Sequence, residues 1–247
     1  METAKDLVKR LQYVLNAKGE VLKVDGDFGP KTRAAADKFN LTLDAVRKPK
    51  QAAKPQPVQG NQDTPPWLTE AKKHKGKHER HDKSWAKWMA SKWKLVGLNL
   101  PHISKSWSAW CGLAIAVALT GVGLDYQKNG ATARNWRHYG QKIDFKRDGI
   151  PQGAIVHLNN KGNCSSSSSN HVSMANGNCT PEYLATRGST IDLYGGNQGN
   201  TWKVSTYAFS KICNVRWPKD AKDFPKPSRV TKNKNCSSGA AKFESTR

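Results

Sequence analysis

A cysteine stands where an aromatic, turn-prone segment gives way to an apolar run, in the stretch SWSAWCGLAIAVAL, residues 106–119. A thiol is a weak nucleophile at its ordinary pKa of about 8.5, and a helix N-terminus or an imidazole partner lowers that value. Cys111 lies where the pattern predicts a helix to begin, so the helix dipole and free backbone N–H groups would favour a thiolate. A small buried hydrophobe is the bland role for the same residue. A cysteine hydrolase also needs a base and a group to orient the base.

Seven histidines are available. His74, His78 and His81 lie in a basic helical segment, His102 precedes the aromatic stretch, and His138 follows a helical one. His157 sits inside an apolar strand pattern, where a structural role is expected. His171 follows the polar loop NCSSSSSN and opens the strand HVSMA, which puts an imidazole at a strand end facing a cleft. Farther on, LYGGNQGN (193–200) follows a strand with two glycines that let backbone approach closely. It delivers Asn197 and Gln198, and an amide can hold an imidazole tautomer as a carboxylate does. His78-Glu79-Arg80-His81-Asp82 lacks the H-E-x-x-H order that sets two metal ligands and a base on one helix face, and no CxxC pair occurs. Neither metal nor cofactor is expected.

The elements that would hold these groups are legible in outline. Leu7, Leu11, Val14 and Leu15 recur at helical spacing, and VDGDFGPKTRAAADKF (24–39) reads as a tight turn followed by a Pro-led helix. Residues 1–46 therefore form a small helical domain. Residues 47–64, rich in Pro, Gln and Lys, read as an extended linker. Trp85, Trp88, Met89 and Trp93 mark a helix face directed into a core. Short strands are expected at Ala154–Leu158, His171–Ala175, Thr190–Tyr194, Thr201–Tyr207 and Asn214–Trp217. A helical half followed by an antiparallel sheet is an α+β pattern. The basic tail, 219–247, is expected to be disordered.

Composition restricts the partners. The net charge is +22, from 41 basic and 19 acidic side chains. Such a balance suits a polyanion: nucleic acid, an anionic membrane face or an acidic wall polymer. No stretch reaches the ~20 apolar residues of a membrane span. The N-terminus METAKDLVKRLQYVL lacks a secretory h-region, so synthesis in a cytoplasm is expected. Five cysteines leave at least one thiol free in a monomer. Cys164 and Cys179 flank the Ser-rich loop and could pair after export.

Two resemblances follow from these residues. Leu11-Gln12, Leu15-Asn16, Val24–Pro30, Thr32, Ala35 and Phe39 resemble the peptidoglycan-binding type 1 domain, which implies a wall-docking role for Asp25, Gly26, Phe28 and Gly29. Residues 65–218 resemble the papain-like CHAP and NlpC/P60 peptidoglycan hydrolases of phages and prophages. The carrying motifs are Pro66-Trp67, Trp110-Cys111, Ala133–Trp136, Gly153–Val156, His171-Val172, Gly195–Gln198 and Arg216–Pro218. Ala154 departs from the usual Asp, and Asn170 and Ser173 replace the glycines that commonly bracket the H-V pair.

The second resemblance implies a papain-like fold with Cys111 as nucleophile, His171 as general base then acid, and Asn197 as its orienting group. It gives the Cys111 backbone N–H as an oxyanion donor, Glu79 an accessory acidic role, and Trp110, Gln198 and Asn170 a place at the substrate. It also implies a monomeric endolysin that accumulates in the host cytoplasm, reaches peptidoglycan after membrane permeabilisation, and meets acidic wall polymers or lipopolysaccharide. Which amide bond is cut stays open between the N-acetylmuramoyl–L-alanine bond and a stem or crossbridge peptide bond. The competing expectation is a non-enzymatic basic protein that binds cell wall or nucleic acid.

Overall fold

The computed structural model describes residues 3–17, 20–43, 64–103 and 109–237. The chain divides into two compact units, Met1–Gly60 and Asn61–Arg247. The linker expected at 47–64 lies outside the described residues except for Thr64.

In the first unit, helices α1 (Ala4–Ala17) and α2 (Pro30–Lys38) close Leu11 and Leu15 over Ala35 and Ala36, with Phe28 and Phe39 packed alongside. Pro30 opens α2, a position whose N–H would have no helical partner. The turn before it is fastened by the buried Gln12. Its Nε2 lies 3.0 Å from Asp25 Oδ1 and 2.9 Å from the Asp27 carbonyl, and its Oε1 accepts from the Gly26 N–H at 3.0 Å. Gly26 has φ +81°, and a Cβ there would fall 2.5 Å from Lys5 Cγ.

The second unit mixes helices with one antiparallel sheet. Helices α3 (Pro66–Lys72) and α4 (Lys83–Ala90) precede the central helix α5 (Cys111–Gly121). Strand β1 (Gln141–Ile143), the short helix α6 (Phe145–Asp148), β2 (Ile155–Asn159), β3 (Asn170–Ala175), α7 (Pro181–Leu184), β4 (Thr190–Gln198), β5 (Thr201–Ala208) and β6 (Ile212–Trp217) follow. The six strands lie in the order β1-β6-β2-β3-β4-β5. All neighbouring pairs are antiparallel. This is the α+β architecture expected.

Helix α5 is buried all along Cys111–Leu119, as a helix apolar on every side must be. It packs on α3, β3 and β4. Its small residues also let the segment before the 3-10 turn Ala133–His138 come close: a Cβ on Gly112 would lie 1.9 Å from the Gly130 carbonyl oxygen. Trp67, Trp93, Trp110, Trp136, Trp202 and Trp217 are fully buried, so the tryptophan richness serves the core, as the helical spacing of Trp85, Met89 and Trp93 implied. Trp88 is the exception on that helix and is 41% exposed.

Three expectations need correction. The anticipated strand at Thr190–Tyr194 runs on to Gln198, because the Gly-Gly-Asn-Gln segment stays in the ladder through a bulge between Gly195 and Gln198. The tail is ordered as far as Ser237. Asn178 and Lys234 exchange backbone hydrogen bonds, the Asp192 N–H donates to the Cys236 carbonyl, and the Val230 N–H donates to that of Asp148. Low apolar content does not prevent order where a sheet supplies backbone partners and a disulfide holds the end. The rest of the expected tail, 238–247, lies outside the described residues. Finally, Cys164 pairs with Cys213, and Cys179 with Cys236. The first bridge ties the Ser-rich loop to β6 and the second ties the tail to the sheet domain. Cys111 is the free cysteine.

Candidate active site

The site grows from the first turn of α5. Trp110 offers no side-chain cap, while its carbonyl accepts the Ala114 N–H at 2.9 Å. The first N–H groups of the helix therefore have no helical acceptor. The thiol of Cys111 meets the backbone N–H groups of Val172, Gly112 and Cys111 itself, which favour the thiolate, but burial pushes its pKa up and prevails. Desolvation of a charge in the core outweighs the helix terminus, so the resting residue is a neutral thiol and not the thiolate that helix position alone suggested.

Val172 brings β3 to the thiol, and its neighbour His171 lies fully buried on that strand. His171 Nε2 is hydrogen-bonded to Ser173 Oγ at 2.8 Å, and Gln198 Nε2 donates to the same oxygen at 2.8 Å. The Tyr207 ring stacks on the imidazole with centroids 5.9 Å apart. The other nitrogen, Nδ1, is buried without a hydrogen-bond partner. Burial, assisted by nearby His157, pushes the His171 pKa down to about 3. Thiol and imidazole are thus both neutral at rest.

The hydrogen bonds around the imidazole involve a different amide from Asn197. The hydrogen-bond line from His171 runs through Ser173 to Gln198, not to Asn197. Asn197 occupies the bulge with φ +59°, a left-handed conformation that Asn tolerates better than most residues. The two glycines before it are dictated by packing: a Cβ on Gly195 would lie 2.4 Å from Ser173 Oγ, and one on Gly196 would lie 2.2 Å from Trp110 Cζ3. The Gly pair thus lets β4 settle on the imidazole-bearing strand and on the residue preceding the thiol. Ser173 is the group sequence reasoning passed over. The signal was its position two residues after His171, which in a strand places both on one face.

The residues expected at the substrate are engaged in hydrogen bonds within the fold. Trp110 is fully buried and its Nε1 donates to Glu79 Oε2 at 2.6 Å. Gln198 is fully buried as well. Asn170 is engaged on both sides: its Oδ1 lies 2.9 Å from His157 Nε2, and its Nδ2 donates to the carbonyls of Ser166 and Ser168 at 3.1 Å. Trp110 and Gln198 thus present no surface to a ligand, while Asn170 stays partly exposed. Glu79 is itself buried, its backbone N–H bound to the Asn200 carbonyl at 3.0 Å. Burial holds its carboxyl above the usual range against the opposing pull of Trp110 and Arg80. It borders a cleft of about 400 Å³ with Arg80, Lys83, Lys87 and His102.

The residues expected at the wall in the first unit divide similarly. Asp25 accepts from Gln12 and from the Asp27 N–H at 2.9 Å, and these bonds hold its carboxyl below the ordinary range. Gly26 and Phe28 belong to the turn and the core. Asp25 and Gly29 also line a groove of about 610 Å³ with Gln12, Leu22, Asp27 and Pro30.

The rings of His78 and His81 lie tilted against each other with centroids 4.2 Å apart, yet among the described residues no group of three His, Cys, Asp or Glu side chains is placed to hold a metal ion. No helix among the described residues is long and apolar enough to cross a membrane. Comparison with family models, with curated proteins and with solved structures finds no match to this chain.

Proposed function

We propose that the chain is a modular, papain-like peptidoglycan hydrolase of the endolysin kind, cutting an amide bond of the bacterial wall through Cys111 and His171. The observation that carries this reading is a free thiol at the uncapped start of α5, a helix that packs on β3, the strand that holds the buried His171. That imidazole has one nitrogen tethered and the other without a partner.

With Nε2–H donating to Ser173, the lone pair of His171 resides on Nδ1. That nitrogen takes the thiol proton as sulfur attacks the substrate carbonyl. Negative charge develops on the carbonyl oxygen, and the N–H of Cys111 is the donor suited to receive it. Collapse expels the amine, which takes the proton from His171 and leaves a thioester. A water then gives His171 a proton and attacks the thioester, and the returning proton restores the thiol. A neutral resting pair suits this sequence, because proton transfer and attack proceed together.

The groove beside Asp25 and Gly29 is the surface we assign to wall docking. The competing nucleic-acid reading needs exposed aromatic platforms for base stacking, and six of the nine tryptophans are fully buried. The two disulfides also bear on location. Such bonds persist in oxidising compartments, which fits synthesis in the host cytoplasm followed by action outside it.

The test is incubation of purified sacculi with the full chain and mass analysis of the released ends. A new amine on the first stem residue identifies an amidase, and one within the peptide identifies an endopeptidase. Intact sacculi after prolonged incubation with folded protein would reject the proposal.

A further inference from the structure

Between α3 and α4 the chain runs beside the β4–β5 turn. The Gly76 N–H donates to the Trp202 carbonyl at 2.8 Å, the Trp202 N–H to that of Lys77 at 2.9 Å, and the Glu79 N–H to that of Asn200 at 3.0 Å. His78 stands opposite Thr201 in an antiparallel bridge. This short polar stretch has no strand pattern of its own. It takes a paired course because β5 is the edge strand of the sheet, and an edge offers unpaired backbone groups.

With its main chain fixed in this way, Glu79 turns its side chain inward. It is 5% exposed, and its Oε2 accepts the Trp110 Nε1–H at 2.6 Å. Arg80 stands 3.9 Å from the other oxygen with half of its own side chain in solvent, so its attraction is screened. The indole is the nearer and the drier partner.

Trp110 is closed in on its other sides. The rings of Trp85 and Trp202 lie 5.5 and 6.0 Å away between centroids, and a Cβ on Gly196 would stand 2.2 Å from Cζ3. Those neighbours press on the ring, while Glu79 holds its polar atom. Trp110 is also the residue before Cys111, and its carbonyl accepts the Ala114 N–H that opens the helical ladder of α5. Where the indole sits therefore decides where α5 begins.

The main chain of Glu79 reaches the support of the imidazole. Asn200, which accepts the Glu79 N–H, lies two residues beyond Gln198, and Gln198 Nε2 donates to the Ser173 Oγ that bonds His171. One residue thus touches both supports: the start of α5 with its side chain, and the turn that follows β4 with its backbone. An acid in the chemistry would need a proton to give and access to the substrate. The indole N–H needs only an oxygen to accept it, and an oxygen is what this sealed side chain offers.

We propose that Glu79 is a positioning residue, which as a hydrogen-bond acceptor pins Trp110, and through it the first turn of α5 with Cys111, to the β4–β5 turn. The consequence for rate rests on the hydrolase reading, whereas the hold on Cys111 does not.

The experiment compares Glu79→Gln, Glu79→Ala, Trp110→Phe and the double variant Glu79→Ala with Trp110→Phe in the full chain. Two readouts are taken: hydrolysis of a soluble muropeptide, and alkylation of Cys111 by iodoacetamide without reductant, followed by mass spectrometry. Cys111 is the free cysteine, so the label reports on the start of α5. Glutamine keeps an acceptor oxygen, and Glu79→Gln should stay near the parental chain in both readouts. Glu79→Ala leaves a buried N–H without a partner, so kcat should fall about 10- to 100-fold with KM nearly unchanged, and alkylation should quicken by a similar factor. Trp110→Phe removes the donor and should do the same, with the double variant no worse than the worse single one. Chemical denaturation of each variant gives its loss of global stability. An alkylation rise no larger than that loss explains would reduce Glu79 to an ordinary core residue and overturn the proposal. Glu79→Gln as damaged in kcat as Glu79→Ala would overturn it too, by showing that the carboxyl itself is needed. If the parental chain cleaves no muropeptide, the hydrolase reading fails on its own account, and alkylation decides the positioning role: an unchanged rate in Glu79→Ala and Trp110→Phe refutes it.

Discussion

His171 Nε2 and Ser173 Oγ lie 2.8 Å apart on one face of β3, and Gln198 Nε2 reaches the same oxygen from β4. The serine stands between imidazole and amide, so the amide orients the imidazole at one remove. Substituting Ser173 by Ala removes the partner of Nε2 and frees the ring to turn or to change tautomer. We expect kcat to fall on the order of 100-fold with little change in KM. Asn197→Ala should have a smaller effect, since its side chain does not bond the imidazole. If the asparagine variant proves the more damaged, the serine relay is the wrong description.

Cys111→Ala should abolish wall hydrolysis, with a loss of at least several thousand-fold in rate, while sedimentation with sacculi continues. The substitution removes one sulfur from a buried site and leaves α5 its helix propensity, so the melting temperature should move by only a few degrees. Cleavage near the parental rate would eliminate the thiol as nucleophile.

Gly196 lies flush against Trp110, where a Cβ would stand 2.2 Å from Cζ3 and 2.6 Å from Ala114 Cβ. Gly196→Ala must displace either β4 or the residue that precedes Cys111. Overpacking of this sort costs about 1–3 kcal/mol. Chemical denaturation should show that loss, together with reduced activity, because the strain falls on the frame of the site.

Stability should decline in acid through the buried imidazoles. His171 is pushed down to about 3, and His157 is lowered as well, both mainly by burial. Below about pH 6.5 the unfolded chain takes up protons that the folded chain refuses, so folding weakens as pH falls from 6.5 toward 3. Each such group contributes on the order of 1 kcal/mol per pH unit over its window. Thermal melts from pH 7 to pH 4 should fall steadily, and less steeply in His157→Gln. An identical slope in that variant would assign the acid sensitivity to other groups.

Paired replacement of Cys179 and Cys236 by Ala should lower stability by about 4 kcal/mol, the loop-closure value for a bridge spanning 57 residues. The same change should release the chain around Lys234 and Asn235 from the sheet, read as faster amide exchange at Asn178 and Asp192. Unchanged exchange would show that the backbone ladder alone holds the tail.

The amino-acid sequence by itself determined the separate helical hairpin, the α+β class, five of the six strands and a cysteine at the start of a helix, while the strand Gln141–Ile143 went unread. These are local properties: apolar periodicity, turn residues, and the side-chain types able to do the chemistry. It also disclosed that the Gly-Gly pair marks close backbone approach, because glycine at a strand end has few other uses. Tertiary structure alone decided which cysteines meet, since pairing depends on strands brought together from 49 and 57 residues apart. It likewise decided that Ser173 and Gln198, and not Asn197, line up with the imidazole, because a bulge in β4 turns successive side chains in different directions. It set the protonation of Cys111 and His171, which a motif suggests will be charged and which burial leaves neutral. Desolvation is a property of everything packed around an atom, and no stretch of sequence records it.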